Sequence, residues 1–215
     1  MSRSYGQLCG LALALDAIGD RWSLLIVREL LVRPEGARYT DLRDGLPGIA
    51  TNLLSDRLRE LEAAGLVRRE EAAPPVATTL FHLTEAGAGL EPVLEALGTW
   101  GIRYMTQPAD GDEFRSHWFA FPIAQFLHDR EPDGPPLSIE LRPGGRPAVV
   151  EVSGGEVRTR LGDTPSPDLI LEGSPRLILG LLAAYLTPAE ARDRGLTITG
   201  DPAILRRLQP APATL

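Results

Sequence analysis

The stretch GARYTDLRDGLPGIATNLLSDRLRELEAAGLVRR, residues 36–69, decides the fold of the first half of this chain. Its pattern predicts a short helix, a Pro-Gly turn at residues 46–48, an amphipathic helix over residues 51–64 and then a strand. Three leucines share one face of the longer helix, and Gly65 follows it as a typical helix-ending residue. This is the order of elements in a winged helix-turn-helix, a scaffold that places one helix in the major groove of DNA. The stretch therefore predicts that the first half of the chain binds DNA.

Length and composition indicate a protein with a substantial hydrophobic core. At 215 residues the chain is long enough for one large domain or two of ordinary size, and 43% apolar against 24% charged residues is typical of soluble globular proteins. No apolar run approaches the roughly 18 to 20 residues of a membrane span, and no apolar signal-peptide core follows the N-terminus. The one cysteine, Cys9, excludes an internal disulfide framework and fits a reducing compartment. We therefore expect a cytoplasmic protein that does not contact membranes.

The overall charge argues against a dedicated nucleic-acid binder, but the local charge is different. The chain carries 22 basic residues, all of them arginine, against 29 acidic ones, which gives a net charge of -7. Small DNA-binding domains are usually basic. Residues 38–69 alone hold six arginines and five acids, and arginine can bind phosphates and guanine edges in bidentate fashion. This balance suits a dimer that binds DNA through one face, with modest affinity for DNA of arbitrary sequence.

Periodic apolar residues extend the prediction over the rest of the first half. We expect helices over residues 8–18, 22–31 and 84–104, and strands over residues 66–70 and 78–83. Asp20 is placed to cap the second of these helices, and Pro92 lies near the start of the last one. The polar segment 107–112 contains proline and glycine between two apolar-periodic regions, so it is the expected linker. The predicted domains are therefore residues 1–106 and 112–208.

The second half predicts a mixture of strands and helices. We expect strands over residues 137–141, 148–152, 156–161, 169–171 and 196–199, and helices around residues 118–127, 176–186, 188–194 and 201–208. The second and third strands are separated by Ser153-Gly154-Gly155, a tight-hairpin signal, and Asp201 is placed to cap the last helix. The predicted fold class is α+β, with a winged helix-turn-helix followed by a layered α/β domain.

Several motifs occur in the first half in a fixed order. They are Tyr5-x3-Cys9, Ile18-Gly19-Asp20-Arg21-Trp22-Ser23-Leu24-Leu25-Ile26, Leu54-Ser55-Asp56-Arg57-Leu58-Arg59-Glu60-Leu61-Glu62-x2-Gly65-Leu66-Val67-x-Arg69 and Leu83-Thr84-Glu85-Ala86-Gly87. Over about residues 5–105 this pattern resembles the HxlR family of bacterial winged-helix regulators. The resemblance implies a homodimeric transcription regulator, with repression as the expected mode. It also implies that the first and last helices pack against the partner and that two recognition helices enter successive major grooves of double-stranded DNA.

Polar side chains around the predicted recognition helix are the candidate DNA contacts. The set is Arg38, Thr40, Thr51, Asn52, Ser55, Arg59 and Arg69. Hydroxyl and amide groups can bond to base edges or phosphates, and arginines can lie against phosphates. The alternative interpretation is an ordinary solvated helix face. The wing tip, residues 71–77, contains no arginine, so the recognition helix is expected to provide most of the binding.

The second half resembles, more loosely, a sterol carrier protein type 2-like domain. The matching parts are residues 167–173, the apolar helix over residues 176–186 and residues 195–201, all within residues 112–208. The resemblance implies a layered sheet with helices enclosing a tunnel for an apolar or amphipathic small molecule, which would act as an effector. The side chains expected to line such a cavity are Trp118, Phe119, Phe121, Phe126, Leu177, Leu181 and Tyr185. The alternative is that these residues form an ordinary core.

Catalytic and metal-binding signatures are not found in the sequence. His82, His117 and His128 lack metal-ligand spacing, and no nucleophile elbow or phosphate-binding loop occurs. We therefore expect neither an enzyme nor a cofactor. One alternative function is a carrier of lipids or other apolar metabolites that uses the winged helix only to dimerise. Another is a redox sensor through Cys9, because a helix N-terminus lowers a thiol pKa; the simpler role for this residue is a small side chain buried in a dimer interface.

Overall fold

The computed structural model describes residues 4–71, 78–101, 113–120, 123 and 127–208. The chain divides into two compact units, Met1–Leu97 and Gly98–Leu215. Each unit has its own hydrophobic cluster of buried side chains. Within the described residues, no helix is long and apolar enough to cross a membrane.

The first unit consists of helices around a small antiparallel sheet. Its helices are α1 (Gly10–Ile18), α2 (Ser23–Leu31), α3 (Tyr39–Gly45), α4 (Thr51–Ala63), α5 (Glu85–Ala88) and α6 (Glu91–Gly101), the last of which continues past residue 97. Its strands are β1 (Ala37–Arg38), β2 (Val67–Glu71) and β3 (Thr79–Leu83), and their order in the sheet is β1-β3-β2. Helices α3 and α4 with the turn between them form the helix-turn-helix, and β2 and β3 form the wing.

The leucine stripe predicted within residues 51–64 is the side of α4 that faces the core. Leu54, Leu58 and Leu61 are at most 3% exposed and pack in one buried cluster with residues of α2 and α3. Their spacings of four and three residues place them on one side of an α-helix, and each buried leucine contributes roughly 1.5–3 kcal/mol. The helix ends as predicted, because Gly65 has a φ of 71°, a left-handed conformation that glycine adopts without strain.

The start of α2 differs from the prediction that Asp20 caps it. The helix begins at Ser23, after Trp22 with a left-handed φ of 84°, and no side chain bonds to its first turn as a cap. The Asp20 carboxylate instead forms an ion pair with Arg57 of α4, at 2.5 Å. Because these two residues are 37 positions apart, the local sequence around Asp20 could not indicate this pairing.

The single long helix predicted over residues 84–104 is wrong. The structure has two helices, α5 and α6, separated at residues 89–90. Thr84 caps α5, since its Oγ1 accepts a hydrogen bond from a backbone N–H three residues later at 3.1 Å. Pro92 is the second residue of α6, and proline lacks the N–H that would continue the hydrogen bonding of a preceding helix. Residues 102–104 lie outside the described residues.

The second unit contains a five-stranded sheet with helices. Its strands are β4 (Leu137–Arg142), β5 (Ala148–Ser153), β6 (Glu156–Leu161), β7 (Leu169–Glu172) and β8 (Thr197–Gly200), in the order β6-β5-β4-β7-β8. β4 and β7 pair parallel, and the other neighbours pair antiparallel. The helices whose bounds lie among its described residues are a 3-10 helix at Ser116–Ala120, α7 (Pro175–Leu182), α8 (Pro188–Asp193) and a 3-10 helix at Pro202–Leu208.

The alternating direction of side chains along the strands gives the sheet one apolar face that packs against helices. Ile139 and Leu141 of β4 are fully buried, as are Leu169 and Leu171 of β7, in a cluster that includes Ile178 of α7. Side chains alternate across a strand, so these two-residue spacings place all four strand residues on one face. All five strands predicted for this half are confirmed to within one residue at each end.

The turns and helices of the second unit agree less closely with the prediction. The hairpin is confirmed, because Gly154 and Gly155 have φ values of 60° and 84°, the left-handed pair of a two-residue hairpin turn. The apolar helix predicted over residues 176–186 ends earlier, at Leu182. The last predicted helix is a 3-10 helix, and Asp201 caps it by accepting from the backbone N–H two residues later at 2.8 Å.

Candidate nucleic-acid interface

The exposed side of α4 carries most of the groups predicted to read bases. Thr51 and Asn52 are exposed, Ser55 is half-buried, and the Arg59 side chain is 65% exposed. Spacings of four residues place Thr51, Ser55 and Arg59 on successive turns of one side, with Asn52 beside the first of them. The buried leucines hold the opposite side in the core. The structure therefore brings these four predicted residues together on one surface.

The turn before α4 sets the direction in which the helix leaves α3. Gly48 has a φ of 84°, a left-handed conformation that favours glycine at this position. The backbone N–H of Ile49 donates to the carbonyl oxygen of Leu46 at 3.1 Å and closes the turn. A Pro-Gly turn between two helices is thus realised as the sequence predicted.

Tyr39 fixes the first turn of α4, and sequence reasoning did not identify it as a functional residue. Its hydroxyl donates to the carbonyl oxygen of Thr51 at 2.6 Å. The Ser55 hydroxyl lies 3.3 Å from the Tyr39 oxygen and 3.1 Å from the same carbonyl. A small side-chain network therefore joins α3 to α4 beside the candidate DNA surface. Its partners are 12 and 16 residues away from Tyr39, so local sequence gives no signal for it.

Each predicted arginine already has a carboxylate partner in the folded chain. The pairs are Arg38–Asp41, Arg59–Asp56 and Arg69–Glu62. The hydrogen bond from Arg38 lowers the pKa of Asp41, and the hydrogen bond from Arg69 lowers the pKa of Glu62. Both of these carboxylates are therefore charged at neutral pH, and they partly cancel the positive field of the arginines.

The remaining predicted contacts lie on α3 and the wing. Thr40 is exposed in the first turn of α3. At the end of β2, Glu71 accepts a hydrogen bond from the Thr79 hydroxyl at 2.8 Å, which joins the two wing strands. Residues 72–77 of the wing tip lie outside the described residues, so the small role expected for the wing stays a prediction.

Helices α1 and α6 carry apolar side chains that the first unit does not bury. Leu11 and Leu15 of α1 are 69% and 39% exposed, and Val93 and Leu97 of α6 are 43% and 47% exposed. Most of the apolar stripe predicted for residues 8–18 therefore does not face the core of its own unit. The pairs lie one turn apart on each helix, so each helix carries an exposed apolar stripe of the kind that typically marks interaction surfaces.

Cys9 lies directly before α1, and its thiol is exposed. Backbone hydrogen bonds from Ala12 and then Leu11, at the N-terminus of the helix, lower the pKa of this thiol. A lower pKa raises the thiolate fraction, which is the reactive form of cysteine. At a given pH, Cys9 therefore has a larger thiolate fraction than an unperturbed cysteine.

The second unit has a cleft beside the C-terminal end of α7. Its volume is about 410 Å³, within the range of small-molecule sites. The walls are largely apolar, and the side chains at its border include Leu181, Leu186, Pro202, Leu205, Asp201 and Arg206. Among the described residues, no group of three or more His, Cys, Asp or Glu side chains could hold a metal ion.

The predicted cavity-lining residues do not lie together around this cleft. Leu181 borders it, whereas Phe119 is fully buried in the core cluster of the second unit. Phe119 therefore packs in the core of its unit and does not border the cleft. Of the others, Trp118 and Leu177 are half-buried, Tyr185 is 64% exposed, and Phe121 and Phe126 lie outside the described residues.

The first half of the chain is similar to known regulators. Residues 17–109 match the family described as HxlR-like helix-turn-helix. An HTH-type transcriptional regulator of Synechocystis sp. is 34% identical over 103 residues, which are 47% of this chain and 74% of that protein. The HTH-type transcriptional regulator YkvN of Bacillus subtilis is 36% identical over 107 residues, 48% of this chain and 87% of that protein. The solved structure of reduced YodB from B. subtilis is 27% identical, covering 48% of this chain and 100% of that one with a TM-score of 0.40.

The family assignment rests on the sequence matches. Two regulators are more than 30% identical to this chain over most of their own length. The matched region includes the helix-turn-helix and the wing strands, and it ends at residue 109. The chain therefore belongs to the HxlR-like helix-turn-helix family.

Proposed function

We propose that the protein is a DNA-binding transcriptional regulator that acts as a homodimer and represses its target genes. The observation that carries the proposal is the surface of α4, whose polar side is exposed while its leucine side is anchored in the core. In a helix-turn-helix, a helix in this position lies in the major groove. The relatives are named as transcriptional regulators, which supports the same role for this chain.

Individual side chains of α4 have distinct roles in this proposal. The Asn52 amide can form two hydrogen bonds to an adenine edge, a pairing that discriminates against other bases. Thr51 bonds to a base edge or a phosphate, and Arg59 reaches a phosphate or a guanine. Ser55 is held by Tyr39 and the Thr51 carbonyl, so we assign it mainly to ordering the first turn of the helix.

Dimerisation is proposed to bury the exposed apolar side chains of α1 and α6. Leu11 and Leu97 are examples of side chains that would leave water in a dimer. Burial of apolar surface contributes about 25 cal/mol per Å² of area, so several such residues together can stabilise an interface. A symmetric dimer would present its two α4 helices to major grooves about one helical turn, roughly 34 Å, apart.

The DNA-binding proposal is tested by fluorescence anisotropy with a duplex from the region upstream of the gene. Asn52→Ala should weaken binding about tenfold or more, because a bidentate base contact discriminates by roughly 1–3 kcal/mol. Thr197→Ala, an exposed polar change in the second unit, is the matched control and should leave affinity unchanged. If the unaltered protein binds this duplex no better than a mixed-sequence one, and without salt sensitivity, the proposal fails.

An apolar or amphipathic small molecule is proposed to control the regulator through a sterol-carrier-like second unit. The support is the cleft of about 410 Å³ beside α7, in a unit that combines a five-stranded sheet with helices. Such an effector can change DNA affinity by no more than the ratio of its affinities for the two functional states.

The effector proposal is tested by native mass spectrometry of protein purified from its own host. We expect the dimer to carry an additional small-molecule mass. Ala203→Trp should fill the cleft and remove that mass, because Ala203 borders it and is itself exposed. Ala189→Trp, an exposed position on α8 that does not itself line the cleft, is the control and should retain the mass. Equal retention in both variants would exclude this cleft.

Two other functions have specific observations in their favour. The cleft is equally compatible with a carrier of apolar metabolites, and Arg59→Glu separates the two functions: it abolishes DNA binding in a regulator but leaves a carrier unaffected. The exposed Cys9 with its lowered thiol pKa favours redox control. In that case Cys9→Ser removes the response of DNA binding to oxidant.

A further inference from the structure

Three carboxylates on the candidate DNA surface hold the guanidinium groups that would bind phosphate. They are Asp41, Asp56 and Glu62, paired with Arg38, Arg59 and Arg69. We propose that these three acids lower the sequence-independent part of the DNA affinity, because each carboxylate occupies donors of its arginine and offsets the positive charge that a phosphate would meet. The inference rests on the proposed DNA-binding function and concerns how strongly the protein holds DNA of arbitrary sequence.

The first pair lies on the recognition helix itself. Asp56 and Arg59 are one turn apart on α4, with the Asp56 Oδ1 at 2.5 Å from an Arg59 nitrogen. Arg59 Nε also donates to the carbonyl oxygen of Ser55 at 3.3 Å. The guanidinium is therefore directed back along the helix. Since both side chains are more than half exposed, a phosphate can reach this pair and exchange with the carboxylate.

The second pair joins the end of α4 to the wing. Arg69 Nε donates to both oxygens of Glu62, at 3.0 and 2.8 Å, and its Nη2 contacts the same carboxylate. Three contacts hold this arginine more firmly than a single one would. The same contacts lower the pKa of Glu62, because they stabilise its ionised form. The pair is nearly half exposed at the arginine, so it too is accessible to DNA.

The third pair lies at the start of α3. Asp41 Oδ2 accepts from the Arg38 side chain at 3.1 Å and from the Arg38 backbone N–H at 3.0 Å. The backbone bond keeps this carboxylate in place even when a phosphate takes the guanidinium. Its negative charge therefore stays close to the bound DNA and opposes it.

The three pairs together explain how a surface rich in arginine can belong to an acidic DNA-binding chain. Exposed ion pairs are weak, so each acid is expected to reduce DNA affinity about two- to fivefold. When an arginine binds a phosphate, it releases a counterion from the DNA. A displaced carboxylate that stays nearby holds a cation beside the phosphates, so the net number of counterions released is smaller. The contacts of Thr51 and Asn52 to bases do not depend on these pairs, so sequence-specific contacts become a larger share of the total affinity.

The test measures binding to a labelled mixed-sequence duplex over a range of salt concentrations. The variants are Asp56→Asn, Glu62→Gln and the double variant. Each single change should raise affinity about two- to fivefold, and should steepen the slope of log affinity against log salt by up to about one. Asp193→Asn makes the same change in total charge at an exposed position of α8 and should leave the slope unchanged.

The outcomes separate this inference from the proposed function. If Asp56→Asn and Glu62→Gln alter affinity and slope no more than Asp193→Asn does, the acids do not act in this way. The proposed function still stands in that case if Arg59→Ala loses binding to the upstream duplex. If neither the unaltered protein nor any variant binds either duplex at low salt, both the inference and the function are wrong. Thermal melting of each variant shows that it is folded.

Discussion

Arginine–carboxylate pairs have opposite roles in the two units of this protein. On α4, the side chains of Arg59 and Asp56 are 65% and 52% exposed. In the second unit, Arg207 and Asp129 are 7% and 0% exposed, with Arg207 Nε and Nη2 at 2.7 and 2.9 Å from the two carboxylate oxygens. An exposed pair exchanges its partner at little cost, whereas breaking a buried pair leaves a desolvated charge. Exposure therefore decides whether an arginine is available for binding or serves only the fold.

The largest expected effect comes from removing the buried arginine. Arg207→Ala should lower the midpoint temperature of unfolding of the second unit by at least about 5 °C, because the buried Asp129 carboxylate keeps the Glu131 backbone N–H as a partner but loses the charge that balances its own. It also removes the hydrogen bond from Arg207 Nη1 to the carbonyl oxygen of Pro135, at 2.6 Å. Differential scanning calorimetry measures the change. Arg206→Ala, the exposed neighbour, is the control, and an equal loss of stability in both variants would contradict the comparison.

Acid pH should weaken the same buried pair. The Arg207 guanidinium lowers the pKa of Asp129 from its ordinary 3.8 to about 2. The stabilisation is therefore fully present above pH 4 and is lost as the pH falls from about 4 towards 2, where the folded protein takes up the proton. The free energy of unfolding is measured with urea over this pH range. Comparison with Asp129→Asn isolates the contribution of the ionised Asp129 carboxylate. If the two proteins differ in free energy of unfolding by the same amount at pH 6 and at pH 2.5, the pair does not titrate in this way.

A smaller effect is expected at the network that orders α4. Tyr39→Phe removes the hydroxyl that donates to the Thr51 carbonyl, which should destabilise the first unit by about 1 kcal/mol. Affinity for the upstream duplex should fall a fewfold, because the first turn of α4 becomes less ordered. Chemical unfolding and anisotropy measure the two effects. Tyr185→Phe, an exposed tyrosine in the second unit, should change neither quantity.

The smallest effect on stability is expected at the exposed pair. Arg59→Ala should change the free energy of unfolding by less than about 0.5 kcal/mol, as for most exposed i,i+3 pairs. The same variant should nonetheless lose most of its affinity for the upstream duplex. A loss of stability comparable to that of Arg207→Ala would show that exposure does not separate the two kinds of pair.

Sequence periodicity predicted the secondary structure well where a single apolar stripe begins and ends with the helix or strand that carries it. The leucines of α4 and the strands of the second unit are examples, because burial on one side repeats every three to four residues in a helix and every two in a strand. Prediction failed at residues 84–104, where helical periodicity continues through a break. Apolar spacing alone does not show that one helix ends before Gly89 and that another begins just before Pro92.

The candidate DNA surface could be predicted only in part. Four of the residues predicted to contact DNA follow from the helical pattern of α4, and the structure places them on one side of that helix. The pairing of Arg59 with Asp56 lies within one helical turn and could be read from spacing. The pairing of Arg69 with Glu62 joins a helix to a strand, and the role of Tyr39 depends on a neighbouring helix. These last two depend on how elements pack, which local patterns do not contain.

The sequence by itself determined the helix-turn-helix, the wing strands and the alternating strands of the second unit. Each of these follows from interactions between residues a few positions apart, whose geometry is fixed by the backbone. Only the tertiary structure decided that Asp20 pairs with Arg57, that Asp129 pairs with Arg207, and that a cleft forms beside α7. The two ion pairs join residues 37 and 78 positions apart. Attraction between charges acts through space and not along the sequence. The path of the folded chain therefore decides which distant charges form pairs and which of them are buried.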